Sequence, residues 1–354
     1  MTAGGVVSVV AVFRSRGGRV RGVLLVCCLI PLLVSTACGA RVYRPGAAGQ
    51  GDGGGASRVA VVPKALGFDF WERVRLGAEC AAERYDGITL HWDGVTSESD
   101  VSGQQSLLQN LLAQGLDGLV YAATDARALA PVTRTALRQG VTVANIDSGT
   151  TPQPPEVPVF ATDNVTAAER GTELLADRIG GSGTVALIEF QPGTNTNATR
   201  VRGFHRELRQ RPGLELVARQ SSDSSYNRAL QVTQDILTAH PDLDGIYAAN
   251  EPSTLGAAEA VRQAGRVGEI RIVGWDASEG QVRALRQGVL TGLIAQDPFR
   301  MGYESVRATV DELRGASPRF ADTDTGARLV TRENVDSPSV RRLLEPDCAS
   351  GTTP

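Results

Sequence analysis

The chain reads as an α/β protein of two lobes, each built on a parallel sheet, and three observations carry that prediction. Six short apolar runs, at 118–125, 141–147, 157–164, 244–250, 271–276 and 291–297, each break off at a polar residue. Unbroken apolar runs of strand length mark parallel strands, whose two faces are both covered by helices. Segments of helix length with apolar residues at helical spacing separate these runs, which predicts right-handed crossovers. More than about ten strands would overfill one sheet. The same punctuation leads from helix into strand in each half, Gln114-Gly115-Leu116-Asp117-Gly118 and His240-Pro241-Asp242-Leu243-Asp244-Gly245, so two similar lobes are expected.

The elements follow in order. A first strand is expected at 59–62, then a helix at 70–85 with Val74, Ala78 and Ala81 on one face. A strand at 88–92 precedes an amphipathic helix at 101–114 carrying Leu107, Leu108, Leu111 and Leu112. Strand 118–122, helix 126–139, strands 141–146 and 157–161, helix 165–179 and strand 184–189 complete the first half of the pattern. The second half runs helix 199–211, strand 214–219, helix 227–239, strand 244–248, helix 254–264, strand 270–274, helix 279–287, strand 291–295 and helix 299–314. No fixed short period recurs, which excludes a solenoid. In open α/β sheets ligands bind beyond the carboxyl ends of the strands. Asp147, Asn250, Asp276 and Gln296 sit at that edge, so a cleft assembled from many strand ends is expected.

The amino end has the pattern of an export signal. Arg14, Arg16, Arg19 and Arg21 precede an apolar run from Gly22 to Val34, followed by Ser-Thr-Ala-Cys at 35–38. A basic region, a short apolar stretch and a small-residue site fit export, and the run is short for a membrane-spanning helix. Residues 1–13 are long for the basic region, which points to a translation start downstream. The stretch Val34-Ser35-Thr36-Ala37-Cys38-Gly39 resembles a bacterial lipobox, with Ser35 where Leu is commonest, and implies a mature chain that begins at a lipid-bearing Cys38. Residues 39–57 hold seven Gly and no apolar periodicity, the composition of a flexible tether.

Composition narrows the function. Hydrophobic residues make up 42% of the chain, enough for two cores, and the net charge is −3. Residues 1–37 hold four Arg and no acid, so the exported body is acidic; with no basic stripe, nucleic acid is not expected as a partner. Of 36 basic residues only Lys64 is a lysine, read here as a compositional bias of the source genome. With Cys27 and Cys28 in the signal and Cys38 acylated, Cys80 and Cys348 remain, and an oxidising compartment allows them to pair.

No catalytic pattern emerges. The three histidines, His91, His205 and His240, lack metal-ligand spacing and no nucleophile arrangement accompanies them. There is no nucleophile elbow and no phosphate-cradling Gly-rich loop. Asp147 with Asp276 could serve as acid and base, but carboxylates at strand ends serve equally as acceptors for hydroxyls. A hydroxyl-rich ring needs carboxylates to accept, Arg or amides to donate and aromatics to stack. Asp147, Asp276, Asn250, Gln296 and Arg200 supply the polar part, with Phe68, Phe70, Trp71 and Trp275 close by. Taken singly, Asp147 reads as a turn residue and Arg200 as a solvated helix charge.

Their order changes that reading. VVPKALGFDFWERVRLGAECAAE, GLDGLVYAATD, VANIDSG, ATDN, ATRVRGF, HPDLDGIYAANEPSTLGAAEA, VGWDAS, GLIAQDPFRMGYESV and LVTRENVDSP follow one another over about 58–340. This succession resembles the sugar-type (type 1) periplasmic binding proteins, and more narrowly the ribose-binding-like solute receptors of ABC transporters. The resemblance implies two Rossmann-like lobes with parallel sheets joined by a three-segment hinge, closing on a pentose or hexose. By position it implies stacking by Phe70 and Trp71, a first-lobe carboxylate at Asp147, and second-lobe contacts from Arg200, Asn250, Trp275 and Asp276. Gln296 takes the place of the hinge amide. Phe68, Ala122 and Ser148 depart from the ribose pattern and weigh against D-ribose, and the far-face aromatic is replaced by the region of Ser224, Ser225 and Tyr226.

The expected organisation is a signal at 1–37, a tether at 38–57, a first lobe at 58–162 and 297–326, a second at 163–296 and 327–345, and a tail at 346–354. The expected function is an exported, lipid-anchored receptor at the periplasmic side or cell surface. It would be monomeric and without cofactor or metal, handing a monosaccharide-like ligand to an ABC permease. A ligand sensor for a membrane kinase or chemoreceptor is the alternative, with an exported sugar-processing enzyme behind it. A LacI-type repressor shares the lobes but needs a basic DNA-binding segment where this chain has a signal and tether.

Overall fold

The computed structural model describes residues 56–316 and 320–349. The expected signal, Cys38 and almost all of the Gly-rich tether lie outside the described residues.

Two six-stranded sheets organise the body. The first is ordered β11-β5-β4-β3-β1-β2, with β1 (Ser57–Val62), β2 (Ile88–Trp92), β3 (Gly118–Tyr121), β4 (Thr142–Ile146), β5 (Val159–Ala161) and β11 (Thr323–Asp324). The second is ordered β12-β10-β9-β8-β6-β7, with β6 (Gly183–Glu189), β7 (Leu214–Ser221), β8 (Gly245–Ala248), β9 (Arg271–Trp275), β10 (Gly292–Gln296) and β12 (Ala327–Val330). All pairs run parallel except β10 with β12, where Gln296 faces Ala327. The central strands β3, β8 and β10 are buried at every residue, the two-sided burial that their unbroken apolar runs predict.

The helices are α1 (Asp69–Ala82), α2 (Val101–Ala113), α3 (Ala130–Arg138), α4 (Asn164–Arg178), α5 (Asn195–Leu208), α6 (Tyr226–Ala239), α7 (Glu251–Gln263), α8 (Glu279–Arg286), α9 (Pro298–Leu313) and α10 (Pro338–Leu344). Helices α1 and α9 pack backbone to backbone: a Cβ on Gly77 would strike the Phe299 carbonyl, and one on Gly302 that of Val74. Each lobe has an apolar cluster on either face of its sheet, around Val61, Ile146 and Phe299 and around Leu119 and Leu129 in the first, and around Ile246 and Leu293 and around Leu187 and Phe204 in the second.

The chain passes between the sheets three times, after β5, after β10 and between β11 and β12. Hydrogen bonds tie these strands where they cross. Thr325 N–H donates to Ala161 O at 2.9 Å, Thr162 Oγ1 donates to Gly326 O at 3.1 Å, and Asp163 N–H donates to Asp324 Oδ1 at 3.1 Å. Gly326 turns the chain at φ 82°, a conformation that disfavours any side chain.

Local chemistry shifts three helix starts from the sequence expectation. Helix α3 begins at Ala130 rather than 126, because Asp125 Oδ1 accepts Arg127 and Ala128 N–H in a turn and Pro131 must lie in a first turn. Helix α5 begins four residues earlier than expected because Thr194 caps it through Asn197 N–H at 3.1 Å. Helix α7 begins at Glu251 because Asn250 caps it through Ser253 N–H at 3.1 Å. The short elements β11, β12 and α10 carry too little periodicity to be read beforehand. Cys80 and Cys348 are joined in a disulfide with Cα atoms 5.4 Å apart. That bond fastens the chain after α10, whose Val340 packs in the second lobe, to α1 of the first.

Candidate ligand-binding site

A narrow cavity lies between the lobes where the strand ends of both sheets converge, with about 20 Å³ open to the centre of a water-sized sphere. That is room for about one water molecule, far below the roughly 300–1,000 Å³ typical of small-molecule pockets.

Two carboxylates hold positions that the backbone does not favour. Asp147 follows β4 at φ 56° and Asp276 follows β9 at φ 75°, both left-handed conformations uncommon outside glycine. The other non-glycine residues of this kind, among the described residues, are Asp223 and Ser224, after β7. Such strain persists where surrounding structure enforces it, and it gathers at ligand sites.

The first lobe contributes a cluster that the sequence reading did not assemble. Lys64, in the loop after β1, places Nζ 2.8 Å from Asp147 Oδ2, 4.0 Å from Glu98 Oε1 and 3.1 Å from Thr196 Oγ1 of the second lobe. The contact with Asp147 is an ion pair whose angle misses hydrogen-bond geometry, so Oδ2 still lacks a hydrogen-bond donor. The ammonium also lies 5.8 Å from the Trp71 ring centre and 5.2 Å from that of Phe190, within cation–π range. Glu98 reaches across the cleft and accepts from Ser224 Oγ at 2.5 Å, and Ser224 Oγ accepts from Asn250 Nδ2 at 3.1 Å.

On the second lobe, Arg200 divides its donors. Nε donates to Asn164 Oδ1 and Nη1 to Ala249 O, both at 2.8 Å, while Nη2 lies 3.8 Å from Asp147 Oδ1 across the cleft. Its guanidinium covers the Trp275 ring at 3.7 Å. Trp275 is fully buried, donates Nε1–H to Tyr247 Oη at 2.6 Å, and does not line the cavity. Trp275, expected among the second-lobe contacts, lies here beneath the Arg200 guanidinium. Asp276 Oδ1 accepts Gln296 Nε2 at 2.6 Å and Oδ2 accepts Glu251 N–H at 3.0 Å. Burial raises the Asp276 carboxyl above its ordinary range, while Arg200 and Gln296 pull it down. Burial likewise pushes Glu251 up to about 7, with the nearby Asp276 charge adding to the rise.

Phe70, Trp71, Asp147, Arg200, Asn250, Asp276 and Gln296 thus share one cavity, joined by Lys64, Phe68, Glu98, Phe190 and Glu251. Phe70 and Trp71 meet edge to face, with centroids 4.8 Å apart. The cavity's donors are largely engaged with protein, whereas Asp147 Oδ2 and Gln296 Oε1 are buried acceptors without a hydrogen-bond donor. Buried polar atoms are normally paired, so this wall suits a ligand rich in O–H or N–H donors. The one signal for Lys64 was its being the chain's single lysine, placed directly after the first strand. Glu98 lies in a loop without periodicity. Among the described residues no cluster of His, Cys, Asp or Glu suits a metal ion.

Comparison with known proteins places the chain. A model of the periplasmic binding protein domain matches residues 59–317. A D-ribose/D-allose-binding protein of Pseudomonas aeruginosa is 30% identical over 312 residues, which cover 86% of this chain and 97% of that protein. A xylitol-binding protein of Mycolicibacterium smegmatis is 26% identical, covering 71% of each chain. Among solved structures, an ABC transporter solute-binding protein of Agrobacterium vitis with bound D-fucose superposes with a TM-score of 0.79 at 28% identity, over 81% of this chain and all of that one. With two strand-end lobes around an acceptor-lined cavity, and a family match over most of its length, the chain belongs to the periplasmic binding protein family, in its sugar-type (type 1) branch.

Proposed function

We propose that this protein captures a monosaccharide-like ligand between its lobes and delivers it to an ABC permease, held at the membrane by lipid on Cys38. One observation carries the ligand class. The cavity between the lobes is lined by Phe70 and Trp71 together with Asp147, Asp276, Asn250 and Gln296, with two buried acceptors free of hydrogen-bond donors. Hydroxyls supply the donors, and a sugar ring's C–H face packs against the aromatic side of the cavity. The sheet memberships support lobes at 58–162 with 297–326 and at 163–296 with 327–345. Relatives named for ribose, allose and xylitol support a small neutral polyol or sugar. The protein works by closure and release, so no residue is given a catalytic role.

The test is a thermal-shift screen of pentoses, hexoses and polyols. A ligand at about 100 times its dissociation constant adds roughly 2.7 kcal/mol to stability, a shift easily read. Stabilisation by at least one neutral sugar or polyol is expected, and a panel that leaves the melting temperature unmoved defeats the reading.

A further inference from the structure

A helix without a cap of its own meets a carboxylate of the opposite lobe at the rim of the cavity. The Phe68 side chain offers no acceptor to α1, so the amides of its first turn need partners from elsewhere. Glu251, the first residue of α7, provides one: its carboxylate is largely buried and Oε2 accepts Phe70 N–H at 3.2 Å. A reciprocal contact lies beside it, where Asp69 Oδ2 of α1 accepts Glu279 N–H at the start of α8, also at 3.2 Å. Each lobe thus sets an acid against the positive end of a helix in the other.

We propose that Glu251 is a positioning residue that latches the lobes through the Phe70 amide, and that the latch takes up a proton from solvent as it forms. This rests on the reading of the protein as a receptor that closes on its ligand. In the closed form the Glu251 carboxyl stands near 7 because it is buried beside Asp276. Asp276 faces it from the β9–α8 loop and Asp69 and Arg73 from α1, while Lys64, Glu98, Asp147 and Arg200 face the same cavity. Opening admits water and returns the group toward its ordinary value of 4.5. The closed form therefore holds a proton that the open form lacks between those limits. Closure is favoured at low pH and lost as pH rises through about 7. A neutral carboxyl still accepts the Phe70 N–H through its carbonyl oxygen, as a glutamine would.

The test measures distances between non-cysteine spin labels at exposed Leu76 and Tyr226, one on each lobe, in the full chain without sugar at pH 5 and pH 8. The wild type is expected to lose closed population at the higher pH. Glu251→Ala lowers the closed-to-open ratio at pH 5 by about fivefold, the size of one lost helix cap. Glu251→Gln keeps the closed form and weakens the pH dependence, leaving the part that the raised Asp276 carboxyl supplies, which a merely structural role would not do. Wild-type distances unmoved by pH, or an Ala variant indistinguishable from wild type, overturn the latch. A second arm adds millimolar D-ribose, D-allose or xylitol. If none moves the distances or the melting temperature, the receptor reading fails while the sugar-free arms still decide the latch.

Discussion

Replacing Lys64 with Met keeps the length of the side chain and removes its charge. The ammonium sits 2.8 Å from Asp147 and 4.0 Å from Glu98, with all three side chains at most 5% exposed, and it also donates to Thr196 of the other lobe. Without it, two acids share a closed cavity with Arg200 Nη2 at 3.8 Å from Asp147 as the nearest remaining cation contact. Truncating one partner of a buried charge pair costs about 2–5 kcal/mol. Opening the cleft rehydrates the acids, so the loss falls mainly on the closed, liganded form. An effect of about 2–4 kcal/mol is expected, roughly a thirtyfold to thousandfold loss of affinity. Lys64→Arg is the sharper test, because a planar guanidinium needs more room than a compact ammonium held between Asp147, Thr196 and two rings. Titration calorimetry with the sugar giving the largest thermal shift reads both variants. Wild-type affinity in Lys64→Met refutes the role of the charge, and wild-type affinity in Lys64→Arg refutes the argument from shape.

Other predictions follow from the same geometry. Asp276→Asn keeps a residue tolerant of the left-handed backbone and weakens binding about tenfold to a hundredfold, the worth of a charged hydrogen bond. Its ligand-free melting temperature should not fall, since burial already holds the Asp276 carboxyl above its ordinary range; a large drop contradicts this. A sugar acid should bind at least about tenfold more weakly than its neutral parent, because Glu98, Asp147 and Asp276 outnumber Lys64 and Arg200 around the cavity even with Glu251 protonated; displacement calorimetry decides. Cys348→Ser should lower unfolding free energy by up to about 5 kcal/mol, since the disulfide closes a separation of 268 residues. Denaturant midpoints unchanged from wild type rule that out. Mass spectrometry of membrane-extracted protein should find lipid on an amino-terminal Cys38, and an unmodified Cys38 excludes the anchor.

The periodicities in this chain determined its two-lobed α/β build, since apolar runs bounded by helix patterns leave few other ways to bury themselves. They also placed Asp147, Asn250, Asp276 and Gln296 at the carboxyl edge of the sheets, because a strand's carboxyl end is a local property of sequence. Helix starts were less legible: at Ala130, Asn195 and Glu251 they depend on which single side chain captures an amide. What each site residue does was decided only by the tertiary structure. Arg200 reads in sequence as a ligand donor, yet two of its nitrogens serve Asn164 and Ala249 and its plane covers Trp275. Lys64 reads as a trace of base composition, yet folding carries it between two acids and two aromatic rings. Glu251 has no motif, and its meaning depends on α1 lacking a cap in the opposite lobe. Contacts of this kind join residues 181 positions apart, and no local pattern encodes a partner that only the packing of two separate sheets brings within hydrogen-bond reach.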